Sequence, residues 1–425
     1  MAHWSPPYRG GSILCLKLMK NQIEEKVNSL SQEIINSSKK FISINSVNPR
    51  TGGPGEKEAA KWLESLLKQW NFDEIKRYDA PDKEVEYGYR PNIVATYKGT
   101  DPDKTIWFVT HMDKVPAGDL SLWDTDPFTP VEKDGKIFGR GSEDNGASLI
   151  ATIYAVKTIM DLGVRPKNNI AIALVSDEET GSDFGIKYLL KQGIFMKEDW
   201  FYVPDAGNSK GNFIEIAEKS IMWVKITTKG KQGHASMPNV SINAHRAGMQ
   251  FALACDKYIH ENYNLKDDLF DYPYSSFEPT KKVTNVENVN TIPGTDIVYF
   301  DGRILPNYDI DKLINELKKL SEEFEKKLNV KIQIEAYHVE KAAPPTPQNH
   351  SSVVLLKESI KELRGFEPSV GGIGGGTCAA IVRTAGYPAV VWSTIDGTAH
   401  QPNEYVKITN LIDDTKVFGY LMSQL

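Results

Sequence analysis

IWFVTHMD, residues 106–113, and IFGRGSEDNG, residues 137–146, bound the stretch around which this chain is organised. Ile106–Val109 is an apolar run that predicts a buried strand. Residues two apart in a strand share a face, so His111 and Asp113 are expected to point the same way. A metal-binding His needs its second ring nitrogen held by a carboxylate or carbonyl, and Asp113 is placed to do so. A surface His–Asp pair at a strand end is the alternative.

The second segment places a carboxylate in a glycine-rich turn. Residues 139–146 read GRGSEDNG, and the apolar run at 147–156 then predicts the start of a buried helix. Asp144 is therefore a candidate ligand. The alternative is an ordinary helix cap by Asp144 or Asn145, which does not exclude a ligand role.

Length and charge limit the class of protein and of partner. A chain of 425 residues is long enough for two domains, or for one large α/β domain with an insertion. A net charge of −6 argues against nucleic acid or an anionic membrane as the main partner. We therefore expect a small polar substrate.

The cysteines and the N-terminal residues indicate the compartment. Cys15, Cys255 and Cys378 lie far apart in the chain, so they predict no disulfide framework and suit a reducing cytoplasm. No CxxC pair is present, and any metal must be bound by His, Asp and Glu. The apolar patch at 13–16 is too short for a secretory signal or a membrane span. We expect residues 1–18 to be a flexible extension.

Strands alternate with helices along most of the chain. Apolar strands are predicted at 106–109, 169–175 and 201–203, and helices at 19–41 and 56–70. This alternation predicts an α/β fold with a mostly parallel central sheet, whose ligands gather at the carboxyl ends of the strands. The acidic and His clusters each follow such a strand, which indicates a site there.

The pattern changes after Asp205. An alternating strand at 221–228 is followed by a helix at 241–262, two strands within 283–304, a helix at 310–328 and a strand at 330–339. The order βαββαβ predicts a ferredoxin-like module inserted as a lid or dimerisation domain. We therefore predict an extension at 1–18 and a catalytic domain formed by residues 19–217 and 342–425, with the inserted domain at 218–341 between these two segments.

The polar residues at strand ends form one set of possible ligands. Its members are His111, Asp113, Asp144, Glu178, Glu179, Asp205 and His400. Two imidazoles with several carboxylates suit two divalent ions, zinc first, with cobalt or manganese as alternatives. Because adjacent Glu178 and Glu179 cannot easily point the same way, one can ligate a metal while the other faces the attacking water.

Seven ordered motifs carry a family resemblance from about Met19 to the C-terminus: THMDKVP, GRGSEDNG, SDEETGS, VPDAG, GHASMP, DGRILP and TAHQPNE. By these motifs the chain resembles the co-catalytic di-zinc family of succinyl-diaminopimelate desuccinylase, acetylornithine deacetylase, aminoacylase, and carboxypeptidase and dipeptidase members. The resemblance implies a metal-dependent hydrolase of linear amide or peptide bonds.

The resemblance also implies roles for the metal ligands. His111 and Asp205 would bind one ion, Glu179 and His400 the other, and Asp144 would bridge them. Two such ions are typically about 3.5–4 Å apart, lower the pKa of a shared water toward ~7 and polarise the scissile carbonyl.

The same resemblance implies three catalytic residues. Asp113 would orient His111, and Glu178 would be the general base that returns the water's proton to the leaving amine. His234 would stabilise the oxyanion, commonly from the partner subunit of a homodimer. From the residues alone, a packed or solvent-facing role for His234 is the alternative.

Four further residues match positions that hold the substrate carboxylate in the family: Asn290, Arg303, Gly376 and Thr377. A surface salt bridge is the alternative role for Arg303.

The expected reaction is therefore cleavage of an N-acyl amide of an amino acid, in the desuccinylase and deacetylase branch of amino-acid biosynthesis. Asp205 is an aspartate, as in peptidase members of the family, which keeps a metallo-dipeptidase or carboxypeptidase as the alternative. A non-catalytic metal-binding protein is a third possibility, against which the presence of Glu178 and every ligand argues. The residues leave the acyl group and the physiological metal open.

Overall fold

The structure, a computed structural model, describes residues 13–283 and 285–425. The chain divides into two compact units. The first comprises the chain up to Ile216, Pro345–Val370 and Thr377–Leu425, and the second comprises Ala217–Pro344 and Gly371–Gly376.

Helices and strands alternate along the described residues. The helices are α1 Ile13–Ile42, α2 Lys57–Leu67, α3 Ser148–Asp161, α4 Ile186–Lys191, α5 Ala244–Asn262, α6 Ile310–Leu328, α7 Ser351–Arg364, α8 Cys378–Thr384 and α9 Ile408–Ser423. The strands are β1 Glu74–Pro81, β2 Tyr89–Tyr97, β3 Asp101–His111, β4 Val131–Lys133, β5 Lys136–Phe138, β6 Asn168–Val175, β7 Trp200–Asn208, β8 Phe213–Glu218, β9 Ser220–Lys229, β10 Gly233–His234, β11 Ser276–Val283, β12 Thr291–Ile292, β13 Thr295–Ile304, β14 Lys331–Glu340, β15 Ser369–Ile373, β16 Ala389–Thr394 and β17 Tyr405–Lys407.

The main sheet has the strand order β1-β2-β6-β3-β7-β16-β8-β15. Its central strands β6, β3, β7 and β16 are parallel. β1 pairs antiparallel with β2, β2 with β6, and β8 with β16. The predicted α/β fold class is confirmed, but the sheet is mixed, and the predicted parallel order holds for its centre.

Helices on both faces explain the apolar runs of the central strands. Trp107 packs in one core cluster with residues of α4 and α8 such as Leu189 and Val382. Its neighbour Phe108 points to the other face, where its ring centroid lies 5.9 Å from that of Phe418 in α9. A parallel strand buried on both faces has no polar side to alternate with, so it reads as a continuous apolar run.

The second unit contains an antiparallel sheet in the order β11-β13-β9-β14. Residues of α5 and α6, including Phe251 and Leu313, pack in one core with Phe277 and Phe300 of the sheet. The chain order of this sheet and its two helices is βαββαβ. Its second strand is β11, which was not predicted from the sequence. The two strands predicted within 283–304 are present, but β12 pairs with β10 and does not join this sheet. That range holds β13 and the two-residue β12, separated by the Pro293-Gly294 turn.

Residues 371–376 belong to the second unit, although we predicted them in the catalytic segment 342–425. The backbone N–H of Gly372 donates to the carbonyl of Leu269 at 2.7 Å, and Gly372 forms a parallel bridge with Phe270. These backbone bonds attach residues 371–376 to the second unit in spite of their position in the sequence.

The predicted flexible extension is corrected at its C-terminal end. Residues 1–12 lie outside the described residues, and residues 13–18 belong to α1. No glycine or proline lies between Ser12 and Phe41, so nothing in the sequence interrupts the helix. Among the helices that the structure describes, none is long and apolar enough to cross a bilayer.

Candidate metal centre

The candidate ligands lie where the four parallel strands end. His111 is the last residue of β3, Glu178 and Glu179 follow β6, Asp205 lies near the end of β7, and His400 follows β16. Because β6, β3, β7 and β16 are neighbours and parallel, their carboxyl ends meet at one edge of the sheet.

Asp144 lies between the two histidines. It occupies the turn 142–147 that leads into α3. Its Oδ1 lies 2.9 Å from Nε2 of His111, and its Oδ2 lies 3.0 Å from Nε2 of His400. The two carboxylate oxygens of Asp144 therefore face different imidazoles, as is required of a carboxylate that bridges two metal ions.

Each histidine has a second carboxylate beside it. Nε2 of His111 lies 3.5 Å from Oδ1 of Asp205, and Nε2 of His400 lies 3.2 Å from Oε2 of Glu179. Glu178 lies on the side of His111 and Asp205, since ligand atoms of these three residues fall within 4.8 Å of one another. The structure thus brings together two His–carboxylate pairs around Asp144, with Glu178 next to one pair.

Asp113 supports this arrangement through its main chain and its side chain. Nδ1 of His111 donates to the carbonyl oxygen of Asp113 at 3.0 Å, whereas the nearer carboxylate oxygen is 3.5 Å away. The carboxylate accepts the backbone N–H groups of Glu178 and Glu179 at 3.0 and 3.1 Å, and the side-chain amide of Asn48 at 2.8 Å. Asp113 therefore fixes the ring of His111 and the Glu178-Glu179 turn together.

The charges within the cluster shift several pKa values. Burial disfavours the charged imidazole of His111, yet its hydrogen bonds to Asp113, Asp144 and Asp205 raise its pKa well above the usual value. The Asp144 hydrogen bond, followed by that of Glu179, raises the pKa of His400 to about 10. The carboxylates of the cluster therefore favour the charged forms of both imidazoles.

The pKa values of the two glutamates shift upward as well. Burial, followed by the charge of Asp205, raises the pKa of Glu178 well above its usual value. Burial, followed by the charge of Asp144, raises the pKa of Glu179 to about 7. Both carboxyl groups lack enough positive charge around them to favour their ionised forms.

The donor set fits divalent metal ions. It consists of imidazole nitrogens and carboxylate oxygens at strand ends, which suit zinc, cobalt or manganese. Oε1 of Glu179 is buried and has no hydrogen-bond partner within the described residues, as expected of an atom that binds a cation. In two groups of three residues, one possible ligand atom from each lies within 4.8 Å of the others: His111, Asp144 and Glu179 form one group, and His111, Glu178 and Asp205 form the other.

Three supporting residues were missed in the sequence. The side-chain amide of Asn145 donates to Oδ1 of Asp205 at 2.6 Å and to the carbonyl of Pro204 at 2.8 Å. Glu143 and Glu404 are buried and accept backbone N–H groups from the segments that carry the ligands. The available signals are that Glu143 directly precedes Asp144 and that Glu404 ends the motif TAHQPNE. The neighbouring sequence does not show which donors a buried carboxylate binds.

His234 and Asn290 lie together in the second unit. His234 in β10 pairs with Thr291 in β12, and the backbone N–H of Ala235 donates to the carbonyl of Asn290 at 2.9 Å. Nδ1 of the exposed His234 accepts the backbone N–H of Ser236 at 3.2 Å. The proton of the neutral ring is therefore on Nε2, which leaves a hydrogen-bond donor facing outward.

The remaining predicted substrate residues already have intramolecular contacts. Nε and Nη2 of Arg303 bind both carboxylate oxygens of Asp301 at 2.7 and 3.0 Å, and Nη1 donates to the carbonyl of Gly374. A side chain at Gly376 would meet Ile221 at 3.4 Å. Thr377, in the first unit, caps α8 by accepting the N–H of Ala379.

Comparison with known proteins adds three findings. The model of the family described as "Peptidase family M20/M25/M40" matches residues 107–424. An uncharacterised metallohydrolase of Methanocaldococcus jannaschii is 41% identical over 407 residues, which are 92% of this chain and 98% of that protein. The succinyl-diaminopimelate desuccinylase of Buchnera aphidicola is 28% identical over 402 residues, again 92% and 98% of the two chains.

A solved structure shows the same fold. The di-peptidase Dug1p from Saccharomyces cerevisiae superimposes with a TM-score of 0.73 at 19% identity, covering 95% of this chain and 98% of that one. At this identity the likeness shows the fold alone.

Proposed function

Because this chain belongs to peptidase family M20/M25/M40 and is a metallohydrolase, we propose that it hydrolyses an N-acyl amide of an amino acid, as succinyl-diaminopimelate desuccinylase and acetylornithine deacetylase do. The observation that carries the proposal is the pair of His–carboxylate groups on the two oxygens of Asp144, with Glu178 beside one of them. Similarity to a desuccinylase over 92% of the chain supports the acyl branch. The free, buried Cys255 and Cys378 suit the proposed cytoplasmic location.

The proposed chemistry assigns one task to each side chain. His111 and Asp205 would hold one divalent ion, Glu179 and His400 would hold the other, and Asp144 would contribute to both. Zinc is the first choice, with cobalt or manganese as alternatives. When bound, the ions polarise the scissile carbonyl and acidify the attacking water.

Proton transfer and charge stabilisation fall to the protein. Glu178 takes the proton of the attacking water and delivers it to the leaving amine. Asp113 holds the Glu178 backbone in position through the 3.0 Å hydrogen bond. His234 donates from Nε2 to the developing oxyanion. For Arg303 to bind the substrate carboxylate, that group must share the guanidinium with Asp301.

A metallo-dipeptidase or carboxypeptidase is the second candidate function. Asp205 favours it, because the resemblance associates aspartate at this position with the peptidase members. In both reactions an amide next to a free carboxylate is cleaved, so the same residues serve both.

A substrate panel decides between these candidates. We expect metal-stripped protein to be inactive and to regain turnover when zinc, cobalt or manganese is added, because the carboxylates alone do not polarise the carbonyl. The panel contains N-succinyl-diaminopimelate, N-acetylornithine and several dipeptides. Fastest turnover of an N-acyl amino acid supports the proposal, whereas faster cleavage of dipeptides establishes the second candidate.

We also propose a homodimer formed through the second unit. Large apolar side chains are exposed there: Met237, Val240, Met249, Leu253 and Val289. These exposed apolar side chains would be buried in a protein–protein interface formed through this unit. In the proposed dimer, His234 of each subunit serves the metal centre of the other.

Complementation between two inactive variants tests this arrangement. His234→Ala and Glu178→Gln are each expected to lack activity as homodimers. After dissociation, mixing and reassociation at equal amounts, random pairing in a two-fold dimer restores about a quarter of wild-type activity, since each mixed dimer has one complete site. Light scattering reports the dimer, with Leu253→Glu as the variant expected to be monomeric and Leu265→Glu, also exposed, as its control. A fully active monomer would contradict the proposal.

A further inference from the structure

Two loops carry the ligands that face each other across the centre. Asp144 lies in Gly141–Asp144, and His400 ends the loop Asp396–His400. The backbone of His400 has a φ of 64°, in the left-handed region that residues other than glycine seldom adopt. Hydrogen bonds from elsewhere must therefore hold this loop in place.

Glu143, in the loop of Asp144, binds the loop of His400. Its side chain is buried, and Oε1 accepts the backbone N–H of Asp396 at 2.6 Å. Oε2 accepts the backbone N–H and the hydroxyl of Thr398 and the backbone N–H of Ala399, the last at 3.1 Å. One carboxylate thus holds three of the residues that lead to His400.

Glu404, four residues beyond His400, binds the loop of Asp144 in return. Its side chain is fully buried. Oε1 accepts the backbone N–H groups of Glu143 and Asp144 at 2.9 and 3.1 Å. Oε2 accepts the backbone N–H of Gly141 at 3.0 Å and the guanidinium of Arg140 at 2.7 Å.

From this exchange of hydrogen bonds we infer that Glu143 and Glu404, which we call the carboxylate clamp, are positioning residues that hold Asp144 and His400 at the spacing a shared metal ion requires. The inference rests on the metal centre proposed above. Each carboxylate comes from one loop and binds the amides of the other, so neither loop can shift without breaking bonds at both. The 3.0 Å between Oδ2 of Asp144 and Nε2 of His400 is the distance that the clamp sets.

Glutamine is the informative substitution at both positions. Every oxygen of the clamp faces N–H or O–H donors, so the NH₂ group of a glutamine must face donors on one side. Glu143→Gln and Glu404→Gln therefore keep the size of the side chain and lose the bonds to one set of amides.

Zinc titration of metal-free protein against a chromophoric chelator measures the consequence. In both variants we expect the ion held by Glu179 and His400 to bind about 10–100-fold more weakly, the usual effect of removing a group that supports a ligand. The ion at His111 and Asp205 should change less. His400→Ala, which removes a ligand outright, shows which of the two affinities belongs to which ion.

Asp199→Asn is the matched control. Asp199 is equally buried in the same unit and accepts the backbone N–H groups of Thr105 and Met196 and the indole N–H of Trp107 at 2.8–2.9 Å. The two bonds to β3 are at Thr105 and Trp107 in the middle of the strand, whereas His111 is its last residue. The control variant should lose thermal stability and keep both zinc affinities.

Hydrogen exchange in the metal-free protein tests the clamp without any metal or substrate. Faster exchange of the Thr398 and Ala399 amides in Glu143→Gln, and of the Gly141 and Asp144 amides in Glu404→Gln, is expected. Unchanged zinc affinities in both clamp variants, or an equal loss in Asp199→Asn, would overturn the inference. Wild-type protein that binds two ions but cleaves none of the panel would contradict the proposed function and leave the clamp supported by its own results.

Discussion

Glu178→Gln is expected to lower kcat by about 10²–10⁴-fold, the range that a positioned general base contributes. Glutamine has the same shape but cannot accept the proton of the attacking water. The backbone N–H of residue 178 still donates to Asp113, so the turn keeps its position. The expected signature is a parallel loss in kcat and kcat/KM, measured with the best substrate of the panel.

Metal content separates this role from a structural one. Glu178 is not among the proposed ligands, so the variant should bind as much zinc as the wild type. Glu58→Gln, the same substitution at an exposed position in α2, should leave turnover unchanged. Loss of zinc together with activity would make Glu178 a ligand, and retained turnover would remove it from the mechanism.

Arg90→Met is expected to lower the free energy of unfolding by about 3–5 kcal/mol, because it leaves the buried carboxylate of Glu56 without its cation. Arg90 is fully buried and binds both carboxylate oxygens of Glu56, through Nε at 2.7 Å and through Nη2. Its Nη1 lies 3.7 Å from Asp82 and 3.5 Å from Asp177, which are buried too. Urea denaturation of metal-free protein measures the loss without a contribution from bound metal.

A second arginine on the neighbouring strand serves as the control. Arg77 in β1 pairs with Glu64 and Asp79, but all three side chains are partly exposed. Arg77→Met should cost about 1 kcal/mol or less, as water screens such pairs. In the double variant Arg90→Met, Glu56→Met, some of the lost stability should return, since the unpaired charge of Glu56 is gone. Equal effects of Arg90→Met and Arg77→Met would show that burial of the Arg90 cluster contributes nothing.

Local pattern was enough to predict the central strands of the sheet. The run IWFV in β3 and NIAIALV in β6 have no polar face, because helices cover both sides. The local pattern did not predict β11, because its residues Glu278 to Lys282 are exposed at the edge of the second sheet and form no apolar run. Pairing with β13 makes this segment a strand, and that pairing is a long-range property.

For the candidate site, strand ends and residue types predicted which side chains gather, but not what supports them. The sequence indicates that a carboxylate or a carbonyl near Asp113 holds His111, and the structure shows that the ring donates to the Asp113 carbonyl. Arg303 was expected to face a substrate, and its guanidinium binds Asp301, as in the salt bridge considered from the sequence. In both cases the partner is two residues away in sequence, but packing decides the side-chain rotamers of His111 and Arg303 and therefore which nearby atom each one reaches.

The chemical identity of the site is thus a property of the sequence, since two histidines and several carboxylates at the ends of apolar strands point to divalent metal and hydrolysis without any coordinates. The spacing of Asp144 and His400, the clamp formed by Glu143 and Glu404, and the buried Arg90 cluster appear only in the tertiary structure. The physical reason is the sequence separation of the interacting residues. Strand periodicity arises between neighbouring residues, whereas the hydrogen bond from the Glu143 amide to Glu404 joins positions 261 residues apart.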